Sequence, residues 1–135
     1  MAEYRPDRRM DPFAAQFWEF TKAKEFRLQK CSDCGKIRWP PAPVCDACLS
    51  EQFEWARVSG RGSVLSWITY RRQYFSEYPS GHRVVTLELE EGPLFISIPV
   101  GLGDNELRDG MPMELAWEES IDRFGEYNLP VFKPA

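Results

Sequence analysis

The sequence predicts a mainly β protein with an N-terminal helical segment, a short metal-binding segment and a small barrel of about five strands. Three observations support this fold class. An amphipathic stretch follows residue 11, four cysteines fall within 18 residues, and β-branched and aromatic segments alternate with turn signals over the rest of the chain. A chain of 135 residues has room for one modest core, so we expect one domain with a small metal-stapled lobe.

The N-terminal region is expected to hold an arm and one helix. Residues 1–10 show no periodicity, so we expect a partner to be needed to order them. Asp11 followed by Pro12 is typical of an N-cap and the first helical position. Three aromatic residues then fall on one stripe, Phe13, Phe17 and Phe20. This stripe predicts an amphipathic helix that ends near Lys24 and packs on the core or docks on a partner.

The cysteines form two pairs, Cys31 with Cys34 and Cys45 with Cys48. Two intervening residues let a tight turn aim both sulfurs at one ion, and two such pairs complete a tetrahedron around zinc. Iron in a rubredoxin-like site would use the same ligands, and disulfides would require an oxidising compartment. We favour zinc, because nothing else in the chain indicates electron transfer and no signal peptide is recognisable. A site closed by four cysteines has no open position, so its predicted role is structural.

Strand-like segments occupy most of the chain after the cysteines: 53–58, 63–74, 83–89, 94–100 and 111–117. Glycine- and proline-rich turns separate them. Five short strands with little helix between them favour a barrel, because closure hides the edges of the sheet. The predicted organisation is therefore an N-terminal arm and helix at 1–30, the metal-binding segment at 31–52 and the barrel at 53–135.

Charge and hydropathy exclude some function classes. The net charge of −4 conceals a split, because residues 1–83 carry 14 Lys and Arg against 10 Asp and Glu, whereas residues 84–135 carry 3 against 11. A general nucleic-acid binder normally has a positive total charge, so that class is disfavoured. No apolar stretch approaches the roughly 18 residues of a membrane helix. We therefore expect a cytoplasmic protein that does not bind membranes.

Candidate catalytic groups are scarce. The metal uses the four cysteines, and His82 is the single histidine, in a stretch typical of a turn between strands. No nucleophile elbow, phosphate-binding loop or dinucleotide fingerprint is present. We expect no catalysis by the chain alone.

One further segment carries recognition chemistry, the basic and aromatic stretch at 67–78. Arg71, Arg72 and Tyr74 in this stretch are suited to hold phosphates and to stack on a nucleotide base. Tyrosine and arginine also anchor protein interfaces, so a partner contact is an alternative. A third interpretation is an exposed hairpin with no ligand.

The chain contains short pieces in an order typical of one protein family: 17–18, 26–35, 40–41, 45–48, 54–55, 59–62, 88–92, 110–112 and 130–134. On these pieces, which run through nearly the whole chain from residue 11, it resembles acyl-CoA-associated proteins that combine a rubredoxin-like zinc ribbon with an OB-fold. Two departures are Ser80-Gly81-His82, where relatives often have a Pro-Tyr pair, and the unusually basic and aromatic segment at 70–78.

The resemblance implies an N-terminal helical segment, a four-cysteine zinc ribbon and a five-stranded OB-type barrel. It also implies a non-catalytic scaffold subunit of a thiolase-superfamily enzyme, such as a thiolase, an acyltransferase or an aldolase that shortens sterol side chains. In such hetero-oligomers the partner carries the catalytic residues, and this subunit helps frame the acyl-CoA site. On this interpretation Arg71, Arg72 and Tyr74 contact CoA or the partner. A nucleic-acid-binding module remains the alternative function, because zinc ribbons and OB barrels both serve that purpose.

Overall fold

The computed structural model describes residues 2–73, 76, 78, 81–103 and 105–135 and confirms a mainly β fold with one helix among them. The helix, α1, spans Pro12–Lys22. The strands are β1 Glu3–Tyr4, β2 Arg27–Cys31, β3 Ile37–Arg38, β4 Phe53–Arg57, β5 Arg61–Thr69, β6 Arg83–Leu89, β7 Leu94–Ser97, β8 Pro112–Asp122 and β9 Gly125–Pro134. Among the described residues, no helix is long and apolar enough to span a membrane.

The larger sheet, which we call the barrel sheet, follows the OB-type order. β5 pairs with β6 and β8, β6 with β7, and β8 with β9, all antiparallel. Where β7 approaches β9, one isolated parallel bridge joins Pro99 to Phe132. The Val100 N–H donates to the Phe132 carbonyl at 2.8 Å, and the Phe132 N–H donates to the Ile98 carbonyl at 3.2 Å. This contact brings the two ends of the sheet together. Along the rest of the seam between β7 and β9, the described residues form no backbone ladder, and the Ser97 hydroxyl donates to the Pro130 carbonyl at 2.9 Å.

The smaller sheet has the order β3-β2-β4 and is called the ribbon sheet here. Its third strand, β4, lies in a segment that the sequence assigns to the barrel, but β4 pairs with β2 in the register Cys31 to Phe53. The cysteine turns lie between these strands and bring them together.

In place of β4, the fifth strand of the barrel sheet is β9. Sequence patterns missed β9 because Pro130 interrupts it, and proline is rare in paired strands. The division of the chain into the segments 1–30, 31–52 and 53–135 stays a prediction.

The predicted helix is present and its N-cap is formed as expected. Asp11 Oδ1 accepts the N–H groups of Phe13 at 3.0 Å and Ala14 at 2.9 Å, and Pro12 follows the cap. Phe17 is 1% exposed and packs on the Phe26 ring at 6.4 Å between centroids. The aromatic stripe therefore attaches α1 to the core.

The expectation of an unstructured arm at residues 1–10 is wrong for the described residues 2–10. β1 pairs with β8 in parallel, and the side chains of Arg5 and Arg8 are buried against the barrel sheet. The Arg8 guanidinium donates two hydrogen bonds to the Asp122 carboxylate, at 2.7 and 3.1 Å, and the Arg8 backbone N–H donates a third at 3.0 Å. The guanidinium lies 3.9 Å from the centre of the Tyr127 ring. Arg5 and Arg8 lie in a segment without periodicity. Nothing near them in the sequence indicates that they contact residues more than one hundred positions away.

Candidate metal centre and aromatic groove

Two turns of the same geometry position the four cysteines. The Cys31 carbonyl accepts the N–H of Gly35, and the Cys45 carbonyl accepts that of Leu49, both at 2.9 Å. The residue that closes each turn has a positive φ, 80° at Gly35 and 65° at Leu49. Glycine adopts this conformation freely, whereas a side chain there costs about 1–2 kcal/mol. The strained Leu49 indicates that the surroundings hold the second turn in shape.

The sulfur atoms have the spacing of a tetrahedral metal site. All four lie within 4.8 Å of one another, with Sγ–Sγ distances of 3.5 Å from Cys31 to Cys48 and 3.6 Å from Cys34 to Cys45. Zinc with Zn–S bonds of about 2.3 Å would place its ligand sulfurs about 3.8 Å apart. None of the four cysteines is in a disulfide. The donor set and its spacing therefore fit zinc in a closed, structural site.

Backbone N–H groups favour the thiolate form at all four sulfurs, and at two of them the net pKa is lowered. The Cys34 N–H lies 3.5 Å from Cys31 Sγ and, as the main cause, lowers the pKa of the Cys31 thiol to about 6. The Cys48 N–H does most to lower the pKa of Cys45. At Cys48 itself, the Ser50 N–H favours the thiolate, but the Cys31 thiol and burial outweigh it and raise the pKa to about 12. A divalent cation between the sulfurs would stabilise all four thiolates.

Two basic side chains follow the first cysteine turn. Lys36 Nζ lies 2.7 Å from Asp46 Oδ2, and this ion pair links the two cysteine turns. The Asp46 carboxylate, with a smaller contribution from the charge of Cys45, raises the pKa of Lys36. Arg38 is 5% exposed and donates to the Ala42 carbonyl at 3.2 Å. The charge of Lys36 is therefore shared between Asp46 and the cysteines, and its main role is to connect the two turns.

A second feature is a groove of about 630 Å³ between α1, the ribbon and the barrel sheet, which we call the aromatic groove. Its walls are mostly aromatic and aliphatic side chains: Phe17, Trp18, Trp39, Tyr70, Arg72, Tyr78, His82, Val84, Phe95, Ile96, Ser97, Ile98, Leu129 and Pro130. Trp39 of the ribbon joins the three parts, because its ring lies 4.6 Å from that of Phe17 in α1 and 4.8 Å from that of Phe95 in β7. A concave, largely apolar surface with a few polar groups is typical of a ligand site.

Three of the rings that line the aromatic groove form a stack. The His82 ring lies parallel to Tyr78 at 4.3 Å and to Tyr70 at 6.0 Å between centroids. Burial, and secondarily the charge of Arg5, lower the pKa of His82, so the imidazole is neutral at pH 7. His82 is therefore a neutral ring that stacks on two tyrosines, and the expectation that it has no catalytic role stays a prediction.

The structure brings some predicted site residues together and separates others. The four cysteines form one cluster, as their spacing predicts. Arg72 lines the aromatic groove, whereas Arg71 is exposed and does not line it. Tyr74 lies outside the described residues. Sequence reasoning missed the groove as a whole, because Trp39, Phe95 and the other walls come from separate elements. The local signals were the aromatic residues of α1 and the basic and aromatic stretch at 67–78, because both contribute residues to the groove.

Comparisons with known proteins identify similar ribbons and similar whole chains. The family profile of the ChsH2, rubredoxin-like zinc ribbon domain matches residues 18–54. A probable enoyl-CoA hydratase alpha subunit of Thermomonospora curvata is 35% identical over 121 residues. That alignment covers 88% of this chain but 37% of the relative, so the chain spans little more than a third of the relative's length.

Two further relatives match along most of their own length. A DUF35 domain-containing scaffold protein of Pyrococcus furiosus is 28% identical over 125 residues, which cover 87% of each protein. Among solved structures, one chain of the Ltp2-ChsH2(DUF35) aldolase matches with a TM-score of 0.83 and 30% identity. The superposition covers 96% of this chain and 98% of the other. The similarity therefore includes the barrel sheet as well as the ribbon.

Proposed function

Because the chain belongs to the DUF35 family and carries its rubredoxin-like zinc ribbon, we propose that it is a non-catalytic accessory subunit that binds a thiolase-fold enzyme and helps frame its acyl-CoA site. One observation carries this proposal. The aromatic groove offers an apolar surface for an acyl chain, and the cationic Arg72 and the stacked rings are among the residues that line it.

The chemistry of the groove suits an acyl-CoA thioester. Apolar walls such as Trp39 and Phe95 bind aliphatic or sterol-like groups by burial. The nucleotide end of CoA adds phosphates and an adenine. The guanidinium groups of Arg71 and Arg72 are suited to the phosphates. The rings of Tyr70 and Tyr78 are suited to the adenine. In this proposal the groove is one wall of the site, and the partner enzyme supplies the other.

The metal centre supports an architectural role. In the proposal, zinc is held by Cys31, Cys34, Cys45 and Cys48, which leave no coordination position for water or substrate. The bound ion would hold together β2 and β4, and with them the Trp39 wall of the groove. No nucleophile is paired with a base in this cluster, so the reaction itself is assigned to the partner.

The names of the relatives point to the same kind of assembly. One is a scaffold protein, another is an alpha subunit of an enoyl-CoA hydratase, and the structural relative is a component of an aldolase. All three descriptions suit a subunit of a larger complex, and one of them names a CoA thioester as substrate. We extend this to the present chain as a hetero-oligomer with a thiolase-fold enzyme.

Co-expression of the tagged chain with each thiolase-fold protein of its source genome tests the assembly. We expect one stable complex on size exclusion, and double replacement of Arg71 and Arg72 by Ala should raise the KM for acyl-CoA about tenfold while the complex stays intact. The control variant is Arg123→Ala. Arg123 is an exposed residue in the turn that connects β8 to β9, so its replacement should leave the KM unchanged.

Three other outcomes are informative. Loss of assembly in the double variant would assign Arg71 and Arg72 to the partner interface instead of the ligand. An unchanged KM with intact assembly would leave this segment as an exposed hairpin. Failure of every thiolase-fold protein to assemble would overturn the proposed function, and tight, salt-sensitive binding to single-stranded nucleic acid would favour the alternative.

A further inference from the structure

Two arginines anchor the N-terminal arm to β8. The Arg5 guanidinium donates to the carboxylates of Glu118 on β8 and Glu3 on β1. The Arg8 guanidinium donates to the Asp122 carboxylate in the same manner. Alternate residues of a strand share a face, so Glu118 and Asp122 lie on the same face of β8. The arm is thus held at two points of one strand.

Each of these guanidinium groups also lies over an aromatic ring that lines the aromatic groove. The guanidinium carbon of Arg5 is 5.4 Å from the centre of the Tyr78 ring, and that of Arg8 is 5.4 Å from the centre of the Trp18 ring. Tyr78 and Trp18 both line the groove, whereas the two arginines do not. A cation within about 6 Å of a ring centre is attracted to the face of the ring. The arm therefore contacts two walls of the groove without reaching its interior.

The contact at Tyr78 has the greater consequence for the groove. Trp18 belongs to α1, where its ring also contacts that of Phe17 at 5.0 Å between centroids. Tyr78 lies instead in the connection between β5 and β6, and its ring stacks on His82 at 4.3 Å. Arg5 therefore links three parts of the chain through one side chain, namely β1, β8 and this connection. Through Tyr78, the link also reaches the His82 ring.

The surroundings of Arg5 suit it to hold a ring in place. Its side chain is 7% exposed, so water screens its charge little. A guanidinium is planar and its donors have fixed directions, so the two carboxylates of Glu3 and Glu118 restrict its orientation. A cation fixed in this way restricts the Tyr78 ring beneath it. Arg9, on the same arm, has a side chain that is 91% exposed and offers a cation for comparison.

We propose that Arg5 is a positioning residue for the acyl-CoA site, an inference that rests on the proposed function. By fixing Tyr78, it holds the stack of Tyr78 and His82 in the shape that receives the nucleotide end of CoA. Arg5 itself does not touch the ligand. Without Arg5, binding would have to order the stack, so affinity would fall while the reacting groups of the partner stay in place.

Steady-state kinetics of the zinc-loaded chain in complex with its thiolase-fold partner test this inference. Arg5→Met keeps the length of the side chain but removes its charge, and we expect the KM for acyl-CoA to rise about tenfold while kcat changes less than about twofold. Arg5→Lys keeps a cation beside the Tyr78 ring and should restore the KM to within about threefold of the wild type. Arg9→Met, the same substitution at an exposed arginine of the arm, is the control and should leave both constants unchanged. An unchanged KM in Arg5→Met would overturn the inference.

A double-mutant cycle separates positioning from a general loss of stability. In a Tyr78→Leu background, Arg5→Met should change the KM by less than about twofold, because the ring through which Arg5 acts is absent. If Arg5→Met raises the KM by the same factor in both backgrounds, Arg5 acts independently of Tyr78 and the inference is wrong.

Nuclear magnetic resonance of the free, zinc-loaded chain tests the link between Arg5 and the stack without a partner. His82 is the single histidine, so its ring protons are identified directly. We expect nuclear Overhauser effects between the His82 and Tyr78 rings in the wild type and in Arg9→Met, and their loss in Arg5→Met. Their persistence in Arg5→Met would overturn the inference, whereas a chain that shows this dependence on Arg5 but assembles with no thiolase-fold protein would overturn the proposed function alone. If Arg5→Met does not fold, Arg5→Gln, which can still donate to Glu118 but has no charge for the Tyr78 ring, is measured with the same expectations.

Discussion

Replacement of Cys31 by Ser is expected to unfold the ribbon and to abolish metal binding. Structural zinc sites contribute about 10 kcal/mol or more of binding free energy, which is comparable to the whole stability of a domain, about 5–15 kcal/mol. The loss should reach the core, because Trp39 of the ribbon contacts Phe17 and Phe95. Elemental analysis should give one zinc per wild-type chain, and tryptophan fluorescence during chelation should report loss of this packing.

Ser32→Ala is the matched control, because Ser32 lies between Cys31 and Cys34 without contributing a ligand. It should bind one zinc and unfold like the wild type. A native chain that contains iron, forms disulfides between these cysteines, or keeps its tryptophan packing after complete chelation would contradict a structural zinc site.

Replacement of Arg8 by Ala is expected to destabilise the protein by about 3–5 kcal/mol, because it leaves the buried Asp122 carboxylate without its cation. The Asp122 side chain is 0% exposed and the Arg8 side chain 4%, so solvent screens the pair little. The exposed pair of Arg123 and Asp7, at 3.2 Å, is the control. Its loss in Arg123→Ala should cost less than about 1 kcal/mol. Urea unfolding of the zinc-loaded protein measures both, and equal losses would contradict the assigned role of Arg8.

The same pair predicts how acid affects stability. Burial raises the pKa of Asp122, but it is outweighed by several effects together: hydrogen bonds from the Arg8 guanidinium, hydrogen bonds from the backbone N–H groups of Arg8 and Phe124, and the charge of Arg8. The pKa is therefore held below its ordinary value of 3.8. A lowered folded-state pKa stabilises the fold above the unfolded value of about 3.9, and this contribution is lost as pH falls through the folded-state pKa. The wild type should therefore lose this part of its stability only below about pH 4. In Arg8→Ala that acid-dependent loss should be smaller, which unfolding measurements at pH 3 and pH 6 would show.

The parts of the structure that sequence predicted are those with strong local signals. Two residues between cysteines fix the geometry of a turn, so the four-cysteine cluster was predictable at the level of individual ligands. The Asp11-Pro12 cap marked the start of α1 in the same way. Alternating β-branched residues predicted β6, whose bounds in the structure, Arg83–Leu89, agree with the pattern.

The parts that sequence missed depend on pairing over long distances. Arg5 and Arg8 are buried because β8 lies beside them, and nothing near them in sequence indicates this. β9 contains Pro130, which local rules place outside a strand, yet its missing N–H faces the unpaired seam and costs no hydrogen bond to β8. The aromatic groove likewise exists only once α1, the ribbon and the barrel sheet are assembled.

The central claim is that this chain frames an acyl-CoA site whose catalytic residues belong to a thiolase-fold partner. Acyl-CoA turnover by the zinc-loaded chain, the partner and their complex, each assayed separately, tests it most directly. The account predicts no turnover by the chain alone and turnover by the complex that persists in His82→Ala, because it assigns the catalytic residues to the partner and a packing role to the His82 ring. Robust turnover by the isolated chain that is lost in His82→Ala would contradict it.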